Sequence, residues 1–500
     1  MSIFRTKTIE QSIKETEESE YQLKKELSAL DLILFGIGII IGTGIFVLTG
    51  IAAATSAGPA IVISFLISGL TCGLAALCYA EFASTVPVAG SAYTFAYASL
   101  GEFLAWIIGW DLLLEVIVGV SAISVSWAKY FNTILKYIGL GLPDAITGGQ
   151  KVFLGLTVNL LAPAIAIVLT VIVTLGIRQS SRFNFVVTAT KLSVVIFFII
   201  LGFFFIKTAN WIPFIPPSGP APHPVNASTG GGLLDEPLIS LILGKPQAYG
   251  IQGIITGAAV IFFAYIGFDI VSTTAEETRE PQKDMPIGIL GSLLVCTILY
   301  IAVSLVLTGM VPYKQLNTAA PMATAFASVG LGWAAVLVSI GAVCGLTAVI
   351  MVSLLGASRV FFAMSRDHLL PPWFARTHPH FGTPYRINIL IGICVVCIAA
   401  FTSIQELAEL VNFGTLLAFI LVSLGVIVLR RSNPNLQRAF RVPLVPLIPI
   451  LSTLACLYLL LSLPILTWFR FVAWLVLGIL IYFFYSRHHS RVRENTEQVA

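Results

Sequence analysis

Five hundred residues with 57% hydrophobic and 10% charged side chains cannot form a soluble globule, since ordinary domains carry about 25% charged residues. The net charge of +4 is scattered over many short segments and implies no nucleic-acid partner. The first thirty residues are polar and mixed in charge, without the apolar stretch and cleavage site of a secretory signal.

Residues 1–30 hold Arg5, Lys7, Lys14, Lys24 and Lys25 among glutamates and read as an interfacial helix leading into the first span. Apolar runs of about twenty residues, the length a bilayer requires, follow near 31–53, 60–86, 101–131, 160–177, 184–206, 251–274, 286–310, 333–362, 387–402, 407–429, 446–464 and 470–485. That makes twelve spans.

The first run contains Gly38, Gly42 and Gly44, three glycines within seven positions. Each costs roughly 1 kcal/mol in a helix interior relative to alanine, which points to a helix built to break. Broken backbone at membrane depth is tolerated where it lines a cavity or is buried in protein. The new helix start turns free N–H groups and a positive dipole toward that cavity. Ile41, Gly42, Thr43, Gly44 and Ile45 therefore read as a cradle for the carboxylate of a small zwitterion. Close helix packing through a face of small residues is the competing reading.

The sixth run repeats the signal: Phe262, Phe263 and Tyr265 cluster before Gly267 and Asp269. Five spans separate the starts of the two broken helices, so they run in opposite directions. Paired interruptions in two halves are the best sequence pointer to a transporter binding site. The second break offers the carbonyls of Phe263, Ala264 and Ile266 to an ammonium group, and an α-amino acid carries both charges. A simple kink at Gly267 is the alternative.

Lys191 lies inside the fifth run. A charge at the bilayer centre costs at least about 2.5–3.5 kcal/mol, and such residues usually serve ion or proton pathways. Lys191 is read as the proton carrier, its ammonium resting against carbonyls of the first break such as those of Gly38 and Ile41. Snorkelling to an interface competes with that reading. Asp111 and Glu115 in the third run are four apart and share a helix face. Glu115, the deeper of the two, is read with Lys191 and Gly38 as a proton-coupling residue that faces the site or pairs with Lys191, and ordinary structural pairing is the competing reading. Glu81 and Asp269 flank turns on the inner side, as caps or gates, and Glu276 to Glu280 reads as a solvated helix end.

The seven cysteines (Cys72, Cys78, Cys296, Cys344, Cys394, Cys397 and Cys456) all lie in apolar runs and read as small buried hydrophobes. No disulfide framework, metal cluster or Walker loop stands out, so no cofactor or metal is expected and the energy should come from a gradient. His368, His378 and His380 lack a fourth ligand with suitable spacing. No nucleophile–base constellation converges, so the chain does not read as an enzyme. With the N-terminus inside, twenty lysines and arginines fall on the inner side, seven on the outer side and Lys191 within the membrane. This bias places both termini in the cytoplasm. The Pro- and Gly-rich insertion 207–250 falls outside as a loosely ordered loop bearing a formal glycosylation sequon, Asn226-Ala227-Ser228.

Several motifs carry a resemblance: Gly42-Thr43-Gly44-Ile45-Phe46; Tyr79-Ala80-Glu81 with Pro87-x-x-Gly90-Ser91-Ala92-Tyr93; Phe263-x-Tyr265-x-Gly267-Phe268-Asp269; and Glu276-Glu277. They resemble the amino acid–polyamine–organocation superfamily. Lys191 and the run Arg359 to Asp367 make the chain most similar to a bacterial member of the cationic amino acid transporter family. The resemblance covers residues 25–485; His368 and the long external loop depart from the family pattern. It implies an all-α membrane protein of LeuT-like fold, with twelve transmembrane helices, a 5+5 inverted repeat and discontinuous helices 1 and 6. The implied division is an N-terminal segment 1–30, a first repeat 31–206, an external loop 207–250, a second repeat 251–430, peripheral spans 431–485 and a tail 486–500. Proton-coupled relatives carry a lysine matching Lys191 in place of a sodium site.

Substrate is then expected between spans one, three, six and eight. The eighth presents Val343, Leu346, Val349 and Ile350 rather than acids, which favours a neutral or aliphatic side chain, with Leu346 as its contact. The expectation is a proton-coupled symporter of L-amino acids in the plasma membrane, working by alternating access. The alternatives are an exchanger or cationic carrier not driven by protons, and a membrane sensor that binds amino acids without moving them.

Overall fold

The computed structural model describes residues 26–490 apart from 87, 89, 90, 144, 145, 154, 155, 177–180, 221–232, 244–246, 375, 377 and 379–382. The interfacial helix expected up to residue 25, the Asn226 sequon, Pro87, Gly90, Arg178, Lys245, His380 and the tail from 491 lie outside the described residues.

The chain is mostly helical. Among the described residues eight helical stretches are long and apolar enough to cross a membrane by length and composition, including Glu102–Tyr137, Pro281–Met310 and Gly332–Arg366, and four shorter apolar helices join them. Helix α1 (Ala29–Ile40) starts on a capping box in which Ser28 and Asp31 exchange hydrogen bonds. The first broken run continues through a π-turn (Gly44–Leu48), α2 (Thr49–Ala52) and a second π-turn (Ala53–Ala57). Then come α3 (Ile61–Thr85), α4 (Ser91–Ser99), α5 (Glu102–Tyr137), α6 (Leu161–Thr174) and α7 (Ser181–Phe203). After α8 (Ser240–Leu243), the second broken run comprises α9 (Gly250–Ile261), a 3₁₀ turn (Phe262–Tyr265) and α10 (Phe268–Val271). It is followed by α11 (Pro281–Met310), α12 (Pro321–Ser328), α13 (Gly332–Arg366), α14 (Tyr385–Phe401), α15 (Ile404–Ser432), α16 (Leu447–Leu461) and α17 (Ile465–Ile481).

An all-α description needs correction in the connections. Strands β1 (Thr147–Phe153) and β2 (Leu156–Asn159) form an antiparallel hairpin, and Gly219–Pro220 (β3) pairs with Gln247–Ala248 (β4). Polar backbone outside the apolar runs has no helix of its own and pairs locally. Nor are the described parts of 207–250 loose. The amides of Leu238 and Ile239 donate to Leu463 and Leu461, and those of Lys207 and Gly250 donate to Gly309 and Pro216. Proline and glycine content reported turns there, and the tertiary anchors came from elsewhere in the chain.

The broken runs sit at the centre of the bundle. Helix α11 packs along both α1 and α3, α13 lies along α5, and α15 bridges α5 and α16. The cysteines divide rather than all being buried: Cys72, Cys78, Cys296 and Cys456 are interior, whereas Cys344 and Cys397 face outward and Cys394 is half-buried. A helix apolar on all sides conceals from hydropathy alone which face meets protein and which meets lipid.

Candidate functional site

Both glycine-marked runs break where their sequences do. Ile41 closes α1 in an extended conformation (φ −72°, ψ 96°), and the chain turns helical again from Thr43. In the second run Ile266 is extended (φ −63°, ψ 135°) and Gly267 has φ 120°, a region that side chains rarely occupy. The two breaks touch: a Cβ on Gly44 would collide with the backbone of Ala264.

Breaking a helix frees amides on one side of the gap and carbonyls on the other. Among the described residues the amides of Gly42, Thr43, Gly44 and Ile45 find no backbone acceptor outside their own turn, while Phe46 N–H donates to the Gly42 carbonyl at 3.3 Å. The Thr43 hydroxyl, buried beside them, is also without a partner among the described residues. The result is a small, buried cradle of donors at a helix start, chemistry that suits a carboxylate.

The carbonyls are more fully used than the sequence suggested. The Tyr300 hydroxyl of α11 lies 2.7 Å from Ile40 O and 2.9 Å from Ala264 O, so its one proton serves a carbonyl of each break. The Phe263 carbonyl accepts from Ile266 N–H at 3.3 Å. Each of the Ala264 and Phe263 carbonyls holds one protein donor and keeps a second lone pair, and Ile266 sits at the extended point of the break. Asn412 of α15 donates to the Ala259 and Val260 carbonyls at 2.8 and 3.3 Å, and Tyr130 of α5 donates to Phe46 O at 2.6 Å. Sequence reasoning missed Tyr130, Tyr300 and Asn412. Their signal was present: a phenol or amide deep in an apolar span must find a carbonyl, and broken helices supply spare ones.

Lys191, 1% exposed, extends from α7 and donates to the Gly38 carbonyl at 2.5 Å, three residues before the first break. The Ile41 carbonyl takes no part in that bond. The lysine stem passes over Gly345 of α13, where a Cβ would crowd it. A cavity of about 90 Å³ is lined by Leu27 and Asp31 near the start of α1 and by Gly38, Thr188 and Lys191. Snorkelling is excluded by that burial and by the bond to Gly38. Glu115 does not pair with Lys191: among the described residues no ion pair joins them, because Glu115 faces Asp111, Asp269 and Thr415 instead.

Helix α13 presents buried Leu346, Val349 and Ile350. Of these, Val349 comes nearest the first break, with Cγ2 3.9 Å from where a Cβ on Gly42 would lie. Glu81 is a structural anchor. It accepts from Arg430 through both oxygens at 2.9 and 2.6 Å and from Val442 N–H at 2.7 Å, and Arg438 lies 3.4 Å away. The end at Glu276 to Glu280 is more engaged than a solvated terminus: Glu277 pairs with Arg359 at 3.0 Å, and its carbonyl accepts the amides of Glu26 and Leu27.

A helical bundle with several membrane-length apolar helices, closed around two abutting helix breaks, defines a multi-pass membrane transporter. The chain belongs to the amino acid permease family, whose model matches residues 27–489. It is 46% identical over 489 residues to the methylthioribose transporter of Bacillus subtilis (strain 168), covering 98% of this chain and 99% of that one. It is 46% identical over 496 residues to the branched-chain amino acid permease BcaP of the same organism, covering 99% of both. The vacuolar cationic amino acid transporter 4 of Arabidopsis thaliana is 37% identical over 423 residues, covering 84% of this chain and 65% of that protein. These relatives are transporters, not enzymes.

Proposed function

We propose that the protein is a proton-coupled symporter of neutral, branched-chain L-amino acids that works by alternating access. The unpartnered amides from Gly42 to Ile45 carry this reading. With the Thr43 hydroxyl they bind the carboxylate, Ile266 receives the ammonium, and the aliphatic surface of Leu346 and Val349 takes the side chain. Likeness to a branched-chain amino acid permease and the apolar face of α13 support a neutral substrate.

Lys191 couples the proton. Charged, its ammonium ties α7 to the carbonyl of Gly38 and holds the half-helix before the break. Neutral, it loses most of that attraction and the half-helix is released. The cavity reaching it from the start of α1 is its route to water.

The architecture proposed with this cycle is LeuT-like: twelve spans, with 31–206 and 251–430 as inverted repeats, 431–485 as peripheral spans, and both termini in the cytoplasm. Two packings support the repeat. Helix α3 lies along α11 and α5 along α13, each pair formed by corresponding members of the two halves. The excess of Lys and Arg on one side supports the orientation, and likeness to a bacterial permease supports a place in the plasma membrane.

Likeness to a methylthioribose transporter favours a second reading, in which the pocket takes a neutral thioether sugar. Such a ligand has no carboxylate for the amide cradle. Labelled leucine, methylthioribose and arginine offered to proteoliposomes, with and without an inward proton gradient, separate the readings. Leucine accumulation that needs the gradient and is lost in Lys191→Ala is the expected result. Methylthioribose accumulation without leucine uptake, leucine exchange indifferent to the gradient, or saturable binding without uptake would each overturn it.

A further inference from the structure

Helix α17 ends on a sharp change of chemistry. Tyr482-Phe483-Phe484-Tyr485 is followed by Ser486-Arg487-His488-His489-Ser490-Arg491-Val492-Arg493, with three arginines and two histidines in eight positions and no acid. Arg491 and Arg493 lie outside the described residues. The helix runs into a π-turn (Tyr482–Ser486) and a last helical turn (Arg487–His489). The wider turn brings Tyr482, Ser486 and Ser490, spaced four apart, to one face, and all three are buried. That face is sealed by hydroxyls. Where α5 starts, Tyr482 donates to Oε1 of Glu102 at 3.1 Å and Ser490 to Oε2 at 2.6 Å. Ser486 donates to Leu369 O, in the turn after α13, at 2.7 Å. The indoles of Trp106 and Trp110 on α5 extend the seam, donating to the Gly478 and Trp474 carbonyls at 2.9 Å.

The opposite face is open. Phe484 is 81% and Phe483 38% exposed, and Arg487, His488 and His489 are exposed in the next turn. Cations at a helix end ordinarily satisfy its last carbonyls. His489 does so, its ring stacked on Tyr485 and its Nδ1 2.9 Å from Tyr485 O. Arg487 does not. Its guanidinium rests 5.9 Å from the Phe483 ring, and among the described residues it meets no carboxylate or carbonyl. Its donors therefore remain available to a partner outside the protein.

We propose that Phe483 to Ser490 is a docking surface for the headgroups of anionic phospholipids in the cytoplasmic leaflet. The two phenylalanines enter the acyl boundary and the basic turn meets the phosphate. Exposed aromatics followed by cations at the end of an apolar span match a lipid phosphodiester in depth and charge. A soluble anion gains nothing from Phe484, and a zwitterionic headgroup brings an ammonium of its own against Arg487. Bound lipid holds the helix end down, and Tyr482 and Ser490 pass that hold to Glu102. Glu102 stands at the joint of α4 and α5, where Gly101 has φ 98°. At the other end of α4, the Ser91 hydroxyl donates to Asp269 O at 3.3 Å, which connects the surface to the half-helix beyond the second break. The choice of leaflet rests on the orientation proposed above; the surface itself stands on the geometry.

Native mass spectrometry of the full chain, released from a neutral detergent, tests this without transport. The wild type should retain phosphatidylglycerol in preference to phosphatidylcholine. Arg487→Gln should lower the apparent affinity for phosphatidylglycerol about fivefold and leave that for phosphatidylcholine unchanged, while Arg487→Lys should restore most of it. Equal retention of the two lipids by the wild type, or equal affinity in the wild type and Arg487→Gln, overturns the proposal. Displacement of phosphatidylglycerol by inorganic phosphate would make the turn a site for soluble anions and overturns it too. Phosphatidylglycerol should also raise the melting temperature of the wild type, and Ser490→Ala should bind the lipid but lose most of that rise. An equal rise in both contradicts the link to Glu102. Cleavage of a C-terminal tag by protease added outside intact cells overturns the choice of leaflet. The carrier reading fails on a different result, absence of leucine uptake, which leaves lipid retention untouched.

Discussion

Single hydroxyl and carboxyl groups hold the breaks and their supports in place. Tyr300 offers one proton to two carbonyls, Ile40 O and Ala264 O. Tyr300→Phe keeps the ring and strands both acceptors, so we predict a loss of about 1–3 kcal/mol, seen as a lower melting temperature of the purified protein. Glu81 is a matching case near the end of α3. Glu81→Gln leaves the Arg430 and Arg438 guanidinium groups without a counter-charge. Breaking a buried pair costs about 3–5 kcal/mol, and partial exposure of Arg430 puts the predicted loss at the lower end, again read by thermal melting. A melting temperature unchanged in either variant would mean the bonds contribute nothing.

At the scale of elements, the sequence exposed its exceptions better than its rules. Gly42, Gly44 and Gly267 marked both breaks, because glycine inside an apolar run has a cost that needs a reason. Lys191 announced itself by the same logic. The partners stayed hidden: nothing in the primary structure says that Tyr300 reaches both breaks, or that Glu115 turns toward Asp269 rather than Lys191. Such contacts join residues tens to hundreds of positions apart, and periodicity reports only which face is apolar. Cys344 and Cys397 were misjudged for that reason, since in a membrane protein both protein-facing and lipid-facing sides are hydrophobic. The two break glycines should also part company. Gly44→Ala drives a methyl into the Ala264 backbone, and overpacking of this kind costs typically 1–3 kcal/mol, so expression and melting temperature should fall. Gly42→Ala has room, with its nearest neighbours at 3.8 and 3.9 Å. It should fold normally and weaken leucine binding at least tenfold by crowding the carboxylate. Equal behaviour of the two variants in a melting assay would remove the contact between the breaks from the account.

For the whole molecule, the proposed cycle places two demands on the first broken helix: it would hold a zwitterion at its junction with the second, and the Lys191 ammonium from α7 ties it down at Gly38. Lys191→Arg should separate them. It keeps a positive charge that gives up no proton near neutral pH, so leucine–leucine exchange should persist at reduced rate while gradient-driven accumulation disappears. Uptake still driven by the gradient in that variant would put coupling elsewhere. The most direct measurement is a structure of the protein with leucine bound. The carboxylate should lie within hydrogen-bond distance of the amides from Gly42 to Ile45, the ammonium at the Ile266 break, and the side chain against Val349 and Leu346. A leucine seated with its carboxylate away from those amides, or found outside the junction of the two breaks, would contradict it.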